Sequence, residues 1–399
     1  MAAPNNAGTN NTRKARAARH VNLRLLADVR NAACSLAMLP GTTQLGTWLG
    51  EPSENGEFIS MANGLLDVQA FLRGEDRFLR PHSPLWFSQV QLPYAFDPAA
   101  KCPKWMAFLD RNLGGEGSVR AKLLQQWSGY IIVYDTRMQK FLLMIGEGAN
   151  GKSVVCAATQ ATLDTSNCSA VPLERFANQF SLVETLGKLA NIVPEVGELD
   201  KVAEGTIKAF TSGDLMCFER KHKPVFMARP TARLMLATNN PPVFSDKTDG
   251  IWRRMLLLRF SVQIPRNEQV AGMDSMAFWA EERAGILNWA LQGLKELRQA
   301  GRFIVPDEIQ ADIQNMRTDN NPARRFLQEH YTTGTGDMPK EGVYSHYQAW
   351  CRTNGHTPLA SNKFAAEVYR TFRQVTDARI TSGGAIRGRV FRGLVRQGA

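Results

Sequence analysis

Residues 146–153 read Gly146-Glu147-Gly148-Ala149-Asn150-Gly151-Lys152-Ser153, a complete G-x-x-x-x-G-K-[ST] octet. The apolar run Phe141-Leu142-Leu143-Met144-Ile145 precedes it, and Val154-Val155-Cys156-Ala157-Ala158 follows as a plausible first helix. A buried strand, a glycine-rich turn and a helix in that order restrict the chain to an α/β core built around a phosphate loop. Gly146, Gly148 and Gly151 let backbone N–H groups curl around a polyphosphate at the positive end of the helix dipole. Lys152 is then placed to reach the β- and γ-phosphates, and the Ser153 hydroxyl to hold Mg²⁺. The chain is expected to bind a nucleoside triphosphate.

A phosphate loop needs an acid to orient the metal and polarise water. Downstream, Lys188-Leu189-Ala190-Asn191-Ile192-Val193 runs into Pro194-Glu195-Val196-Gly197-Glu198. Strand C-termini in such sheets open onto the ligand crevice, so Glu195 is the first choice for the acid and second Mg²⁺ ligand, with Glu198 as fallback. Arg233-Leu234-Met235-Leu236-Ala237-Thr238 is another apolar strand, and it ends in Asn239-Asn240-Pro241-Pro242. Asn239 there can sense the γ-phosphate or the attacking water; a turn-forming Asn before proline is the alternative. Gly250-Ile251-Trp252-Arg253-Arg254 precedes a further strand. Arg253 or Arg254 is a candidate finger completing a neighbouring subunit's site, a role worth about 10³ to 10⁵ in rate. Between the acid and Asn239, Phe218-Glu219-Arg220-Lys221-His222-Lys223-Pro224-Val225-Phe226 places a basic tip between apolar arms. It reads as a hairpin pushed into solvent, with Arg220, Lys221, His222 and Lys223 as candidate nucleic-acid contacts or, alternatively, a solvated charge cluster.

The rest of the chain supplies context. Residues 1–20 form an arm with Arg13, Lys14, Arg16 and Arg19 and no acid, read as disordered. Helical spacing is expected over 21–38, 105–130 (broken at Gly114-Gly115) and 276–298, and a hairpin at Asn63-Gly64. The tail carries helical patterns at 326–331, 343–351 and 362–372, then β-prone runs parted by Gly383-Gly384. Helices followed by a small arginine-bearing hairpin suit a winged helix. The net charge of +11 points towards a polyanionic partner. The six cysteines lie far apart, with no C-x-x-C pair, and suit a reducing compartment. No apolar stretch approaches the roughly 20 residues of a membrane span.

The order of these segments resembles the superfamily 3 helicases, specifically the helicase part of phage and plasmid primases, which is similar to that of poxvirus primase-helicases. The resemblance rests on the octet and on Ile207-Lys208-Ala209-Phe210-Thr211-Ser212-Gly213-Asp214, together with the segments at 237–242 and 250–254. Flanking matches occur at 61–68, 92–98, 126–130, 347–351 and 362–364. It implies an AAA+-like ATPase core over 121–265. Around this core would lie a mostly helical helicase-associated region at 21–120, a helical extension at 266–318 and a winged-helix-like DNA-binding domain at 319–399. It further implies ATP and Mg²⁺, a ring (usually hexameric) with ATP between subunits, and movement of the 220–223 hairpin along single-stranded or forked DNA. A bacterial host cytoplasm is the implied location. One departure matters: a single carboxylate follows Val193-Pro194 where many relatives place adjacent acids, so Glu195 and Glu198 both stay open. The region before the core is too short for a primase-polymerase, and no Asp-x-Asp pair occurs, so priming is expected from a separate protein. Two other functions fit the residues: an ATP-controlled origin-binding initiator, and a phosphate-loop ATPase that does not act on DNA.

Overall fold

The computed structural model describes residues 21–40, 43–49, 56–115, 117–196, 204–240, 242, 244, 249–382 and 385–397. The basic arm, Glu198, Pro241 and Gly383-Gly384 lie outside the described residues. The chain divides into two units, residues 1–44 and 45–399.

In the first unit the helix expected over 21–38 spans Leu23–Leu36, and Asn22 caps it by accepting from the Leu25 N–H at 2.8 Å. None of its residues is buried.

The second unit is built on a five-stranded sheet. Its strands are β1 (Phe141–Ile145), β2 (Cys168–Ser169), β3 (Ala190–Val193), β4 (Arg233–Thr238) and β5 (Met255–Arg259). The order across the sheet is β5-β1-β4-β3-β2, with every pairing parallel. β1, β3 and β4 are buried along their whole length, which explains why they read as unbroken apolar runs and not as alternation.

Helices Val119–Ile131 and Arg283–Ala300 pack closely because each presents a glycine at the crossing. A Cβ on Gly129 would lie 2.4 Å from the Ala290 carbonyl oxygen, and one on Gly293 2.1 Å from that of Gln125. The Gln125 amide donates to the Trp289 carbonyl across this contact at 3.0 Å. Buried Glu282 accepts from the Lys104 and Trp105 N–H groups at 2.9 and 3.0 Å, satisfying the open N-terminus of helix Pro103–Leu113.

Over 21–120, expected to be mostly helical, helices Leu23–Leu36, Val68–Arg73 and Pro103–Leu113 are interspersed with short strands. Strands Thr47–Trp48, Phe58–Met61, Gly64–Asp67, Leu79–Arg80 and Trp86–Phe87 dominate residues 45–100, with one short helix, Val68–Arg73. Proline and aromatic density there favours extended chain lying over the core. The expected hairpin forms, but its tip is Ala62-Asn63, and Gly64 opens the return strand. Any Cβ at Gly64 would sit 2.4 Å from the Arg80 carbonyl oxygen. The helix read over 276–298 is broken into Met276–Trp279 and Arg283–Ala300.

One continuous apolar core runs from Ile59 to Met316. A second gathers Phe326, Tyr347, Phe364, Val368 and Phe391 near the C-terminus. There, helices Pro322–His330, Lys340–Thr353 and Ser361–Thr371 pack on a three-stranded antiparallel sheet, with Ala385–Arg396 between Tyr331–Pro339 and Thr376–Ser382. Strand Tyr331–Pro339 was not legible in the sequence, whereas helix Asp307–Asp319 falls in the helical extension expected over 266–318. Among the described residues no helix is long and apolar enough to cross a membrane.

Candidate nucleotide site

The octet forms the turn between β1 and helix Lys152–Leu163. Gly148, Ala149 and Gly151 all hold positive φ, at 99°, 46° and 97°. Gly146 allows the tightest approach: a Cβ there would lie 2.0 Å from the Asn150 amide nitrogen and 2.6 Å from the Phe260 carbonyl oxygen. Asn150 is buried and ties the loop to β5's end, donating to Phe260 O at 3.3 Å. Glu147 is exposed, as is Ser153 at the mouth of the loop.

Lys152 is only 7% exposed, and its ammonium donates to three acceptors: Gly146 O at 2.7 Å, Asn150 Oδ1 at 3.1 Å and Asn239 Oδ1 at 3.1 Å. All three are uncharged. Burial therefore pulls the Lys152 pKa below its ordinary value, while the Glu195 carboxylate acts in the opposite sense. A buried cation with no carboxylate ion pair among the described residues is a site prepared for an external anion.

The strand ends deliver the other candidates. Asn239 follows β4 directly, and Glu195 lies two residues beyond β3 with its side chain exposed. The tips are cross-tied, since Val196 N–H donates to Ala237 O at 2.8 Å and Gly146 N–H to Thr238 O at 3.3 Å. A cavity of about 970 Å³ is lined by Gly148–Ser153, Pro194, Glu195, Thr238 and Asn239. Lys152, Ser153, Glu195 and Asn239 are thus brought together. Chemically this is a cationic cradle with an exposed hydroxyl, an exposed carboxylate and an amide, the donor set a triphosphate with a divalent cation needs.

The cavity's outer wall was missed in the sequence. Helix Pro103–Leu113 contributes Lys104, Phe108, Arg111 and Asn112, and the segment after β5 contributes residues at 264–274 and Phe278. Ile264 N–H donates to Ala149 O at 3.0 Å, holding that segment over the loop, and Arg111 bridges to Glu268 at 2.5 Å. No local pattern marks these positions, because they become neighbours only through folding.

Two predicted elements lie outside this cavity. Arg254 is buried, donating to Gly250 O at 2.8 Å and to Ser212 Oγ at 2.7 Å, so it braces its own loop. Arg253 is exposed, and neither arginine lines the cavity. The basic hairpin forms as expected: Met216–Phe218 pairs with Phe226–Ala228, and Arg220, Lys221, His222 and Lys223 are all exposed at its tip. His222 takes a positive φ of 61° in the turn, and the Arg220 guanidinium lies 5.3 Å from the Phe226 ring centre.

Fold and site define an α/β protein of the phosphate-loop kind, with its candidate residues at strand C-termini. Comparison with known proteins then narrows the class. A family of unknown function (DUF5906) matches residues 144–254, and the family described as Poxvirus D5 protein-like matches residues 318–378. The chain is 24% identical over 261 residues to the protein named "Putative helicase" of Acanthamoeba polyphaga mimivirus, a match covering 56% of this chain and 26% of that protein. It is 29% identical over 115 residues to an uncharacterized mitochondrial protein of Marchantia polymorpha, covering 27% of this chain and 63% of that one. The chain therefore spans about a quarter of the first relative's length (26%) and under two thirds of the second's (63%). Among solved structures, the apo C-terminal region of NrS-1 shares the fold, with a TM-score of 0.53 at 10% identity over 92% of this chain and 90% of that one. Its A form gives a TM-score of 0.51 over the same shares. These matches uphold the resemblance to D5-like superfamily 3 helicases.

Proposed function

We propose that this chain is an ATP-dependent DNA helicase, hydrolysing ATP at the subunit interfaces of a hexameric ring to move along single-stranded DNA during replication of phage, prophage or plasmid DNA. The observation that carries the reading is the meeting of Lys152, Ser153, Glu195 and Asn239 in one cavity while exposed Arg253 stays outside it. An arginine that does not serve its own site is free to complete a neighbour's. Arg253 is therefore the finger, and Arg254 holds the loop that presents it.

In this reading the loop N–H groups and Lys152 hold the β- and γ-phosphates of ATP, and Asn239 reports the γ-phosphate through its contact with Lys152. Ser153 and Glu195 are the residues that would hold Mg²⁺, which neutralises charge building on the phosphate oxygens. Glu195 orients and polarises the attacking water. The sheet order supports an AAA+-like core, because β1 lies between β4 and β5 and next but one to β3, so three strand ends face one loop. Three helices on a three-stranded antiparallel sheet support a winged-helix reading of 319–399. The exposed 220–223 tip is the DNA-tracking element, with forked DNA as the working substrate and a separate primase or polymerase as partner. A host cytoplasm fits the free cysteines.

A second reading, the origin-binding initiator, draws support from Arg389 and Arg392, exposed on strand Ala385–Arg396. One experiment separates the readings: strand displacement on forked DNA of both polarities with ATP, run beside Lys152→Ala and Glu195→Gln. Lys152→Ala should abolish hydrolysis and unwinding in a folded protein. Glu195→Gln should still bind nucleotide but turn over about 10²- to 10⁴-fold more slowly. Unwinding by Lys152→Ala refutes the proposal. A sequence-specific duplex footprint without strand displacement favours the initiator, and turnover indifferent to DNA favours an ATPase with another substrate.

A further inference from the structure

A second cleft, of about 770 Å³, lies away from the phosphate loop. It is lined by Arg317, Arg324, Arg370 and Arg373, with Asp249 and Glu367 as its acids. The size is within the roughly 300–1,000 Å³ of ordinary ligand sites. Its charges are not balanced. Arg317 is matched to Asp249 at 2.6 Å, and Arg370 stands 3.7 Å from Glu367. Arg324 and Arg373 make no direct ion pair among the described residues, although Glu367 and Asp249 lie near Arg324.

The buried polar groups here are also incomplete. Glu367 is 2% exposed; one carboxylate oxygen accepts from the Asn321 amide at 2.7 Å, and the other has no hydrogen-bond donor. The Thr371 hydroxyl is buried without a partner. Burial of half-buried Arg324, with Arg317 nearby, pulls its pKa below the ordinary arginine value against the opposing pull of Glu367 and Asp249. A cation held in this way gains from an incoming anion. Phe372 lines the same cleft, a ring available to a base or sugar edge beside the guanidinium groups.

We propose that this cleft binds the phosphodiester backbone of a nucleic-acid strand, with Arg324 and Arg373 making the phosphate contacts. The fit is chemical: four guanidinium groups and an aromatic ring line one cleft, and arginine forks match the oxygens of phosphodiesters. The cleft also touches the candidate ATPase machinery. Arg317 holds Asp249, the first residue of helix Asp249–Trp252, and Arg253 follows that helix directly. A strand in the cleft competes with Asp249 for Arg317 and so reaches the loop that carries the finger. This last link rests on the proposed function; the binding site itself does not.

The test uses the full chain without nucleotide, comparing wild type with Arg324→Ala/Arg373→Ala. Binding of a labelled oligothymidine and of a duplex oligonucleotide is titrated across salt. Each lost phosphate contact lowers the log K against log salt slope by about 0.7 for a single strand and about 0.9 for a duplex. The double variant should therefore lose about 1.4 from the slope on single strands, or about 1.8 if the bound form is duplex. Across a fourfold rise in salt, a loss of 1.4 makes single-strand binding about sevenfold less salt-sensitive. Arg324→Lys/Arg373→Lys should restore most of the slope, and an unchanged unfolding temperature excludes misfolding as the cause. Unchanged slopes on both DNA forms in the folded alanine variant overturn the proposal. Unwinding that fails in wild type, with the slope change intact, removes the helicase reading and leaves the cleft.

Discussion

Substituting alanine at two glycines of the same loop separates the conformation of that loop from its packing. At Gly148, φ is +99° and an added Cβ meets nothing within 4 Å, so only backbone strain of about 1–2 kcal/mol is introduced. At Gly151, φ is +97°, and the Cβ would also lie 2.8 and 2.9 Å from two carbons of the Phe108 ring. Phe108 cannot retreat easily: it is 3% exposed and stacked on Trp105 at 5.2 Å, and Trp105 stands edge-on to Trp279 at 5.6 Å and to Trp289 at 5.4 Å. Overpacking of that kind adds about 1–3 kcal/mol, bringing Gly151→Ala to about 2–5 kcal/mol. If the bound loop must keep this shape while the substituted loop relaxes out of it when empty, a non-hydrolysable ATP analogue should bind Gly148→Ala about 5- to 30-fold more weakly than wild type. Gly151→Ala should bind it about 30- to 5,000-fold more weakly. Calorimetric titration reads both, and differential scanning calorimetry should show the lower unfolding temperature for Gly151→Ala. Equal weakening in the two variants, or Gly151→Ala within threefold of wild type, would refute the reasoning.

The arginine pair should divide cleanly. Arg254→Ala removes charged hydrogen bonds to Gly250 and Ser212 and should cost about 1.5–3 kcal/mol of stability, read by urea unfolding. Arg253→Ala should stay within about 0.5 kcal/mol of wild type in the same experiment, yet lower turnover of the assembled protein by about 10³. Lys340 and Asp377 set an acid-side dependence in the C-terminal sheet. Lys340 lies 2.8 Å from Asp377 and, chiefly through that hydrogen bond, holds its carboxyl below the usual value. The folded state then binds that proton less readily than the unfolded state. This contribution is complete above the unfolded pKa of 3.8 and is lost as pH falls through the lower folded value. Lys340→Met should flatten the loss of stability below that pH, and an unaltered pH profile would count against the pair.

The parts of the site that could be read beforehand share one property: each is local. The octet carries its own glycines, and β1, β3 and β4 are apolar runs because both their faces are covered. The basic hairpin announced itself by charges between Phe218 and Phe226, which do pair across the ribbon. Reading failed where identity depends on a distant neighbour. Arg253 and Arg254 are adjacent and alike in sequence, and only the positions of Gly250 and Ser212 make one a brace. Within residues 45–100 the hairpin at 58–67 was legible, but the pairing of Thr47–Trp48 with Trp86–Phe87 was not, since it joins segments far apart along the chain.

What the amino-acid order alone determined is the phosphate loop, the strands on either side of it and the residues at their tips, because hydrophobic runs and glycine placement act over a few positions. Tertiary structure decided the rest. It set the strand order that brings Asn239 within 3.1 Å of Lys152, the wall closed by Arg111 and Glu268, and the gathering of Arg317, Arg324, Arg370 and Arg373 around one cleft. Those contacts join residues far apart along the chain, and only burying the apolar faces together brings them into register.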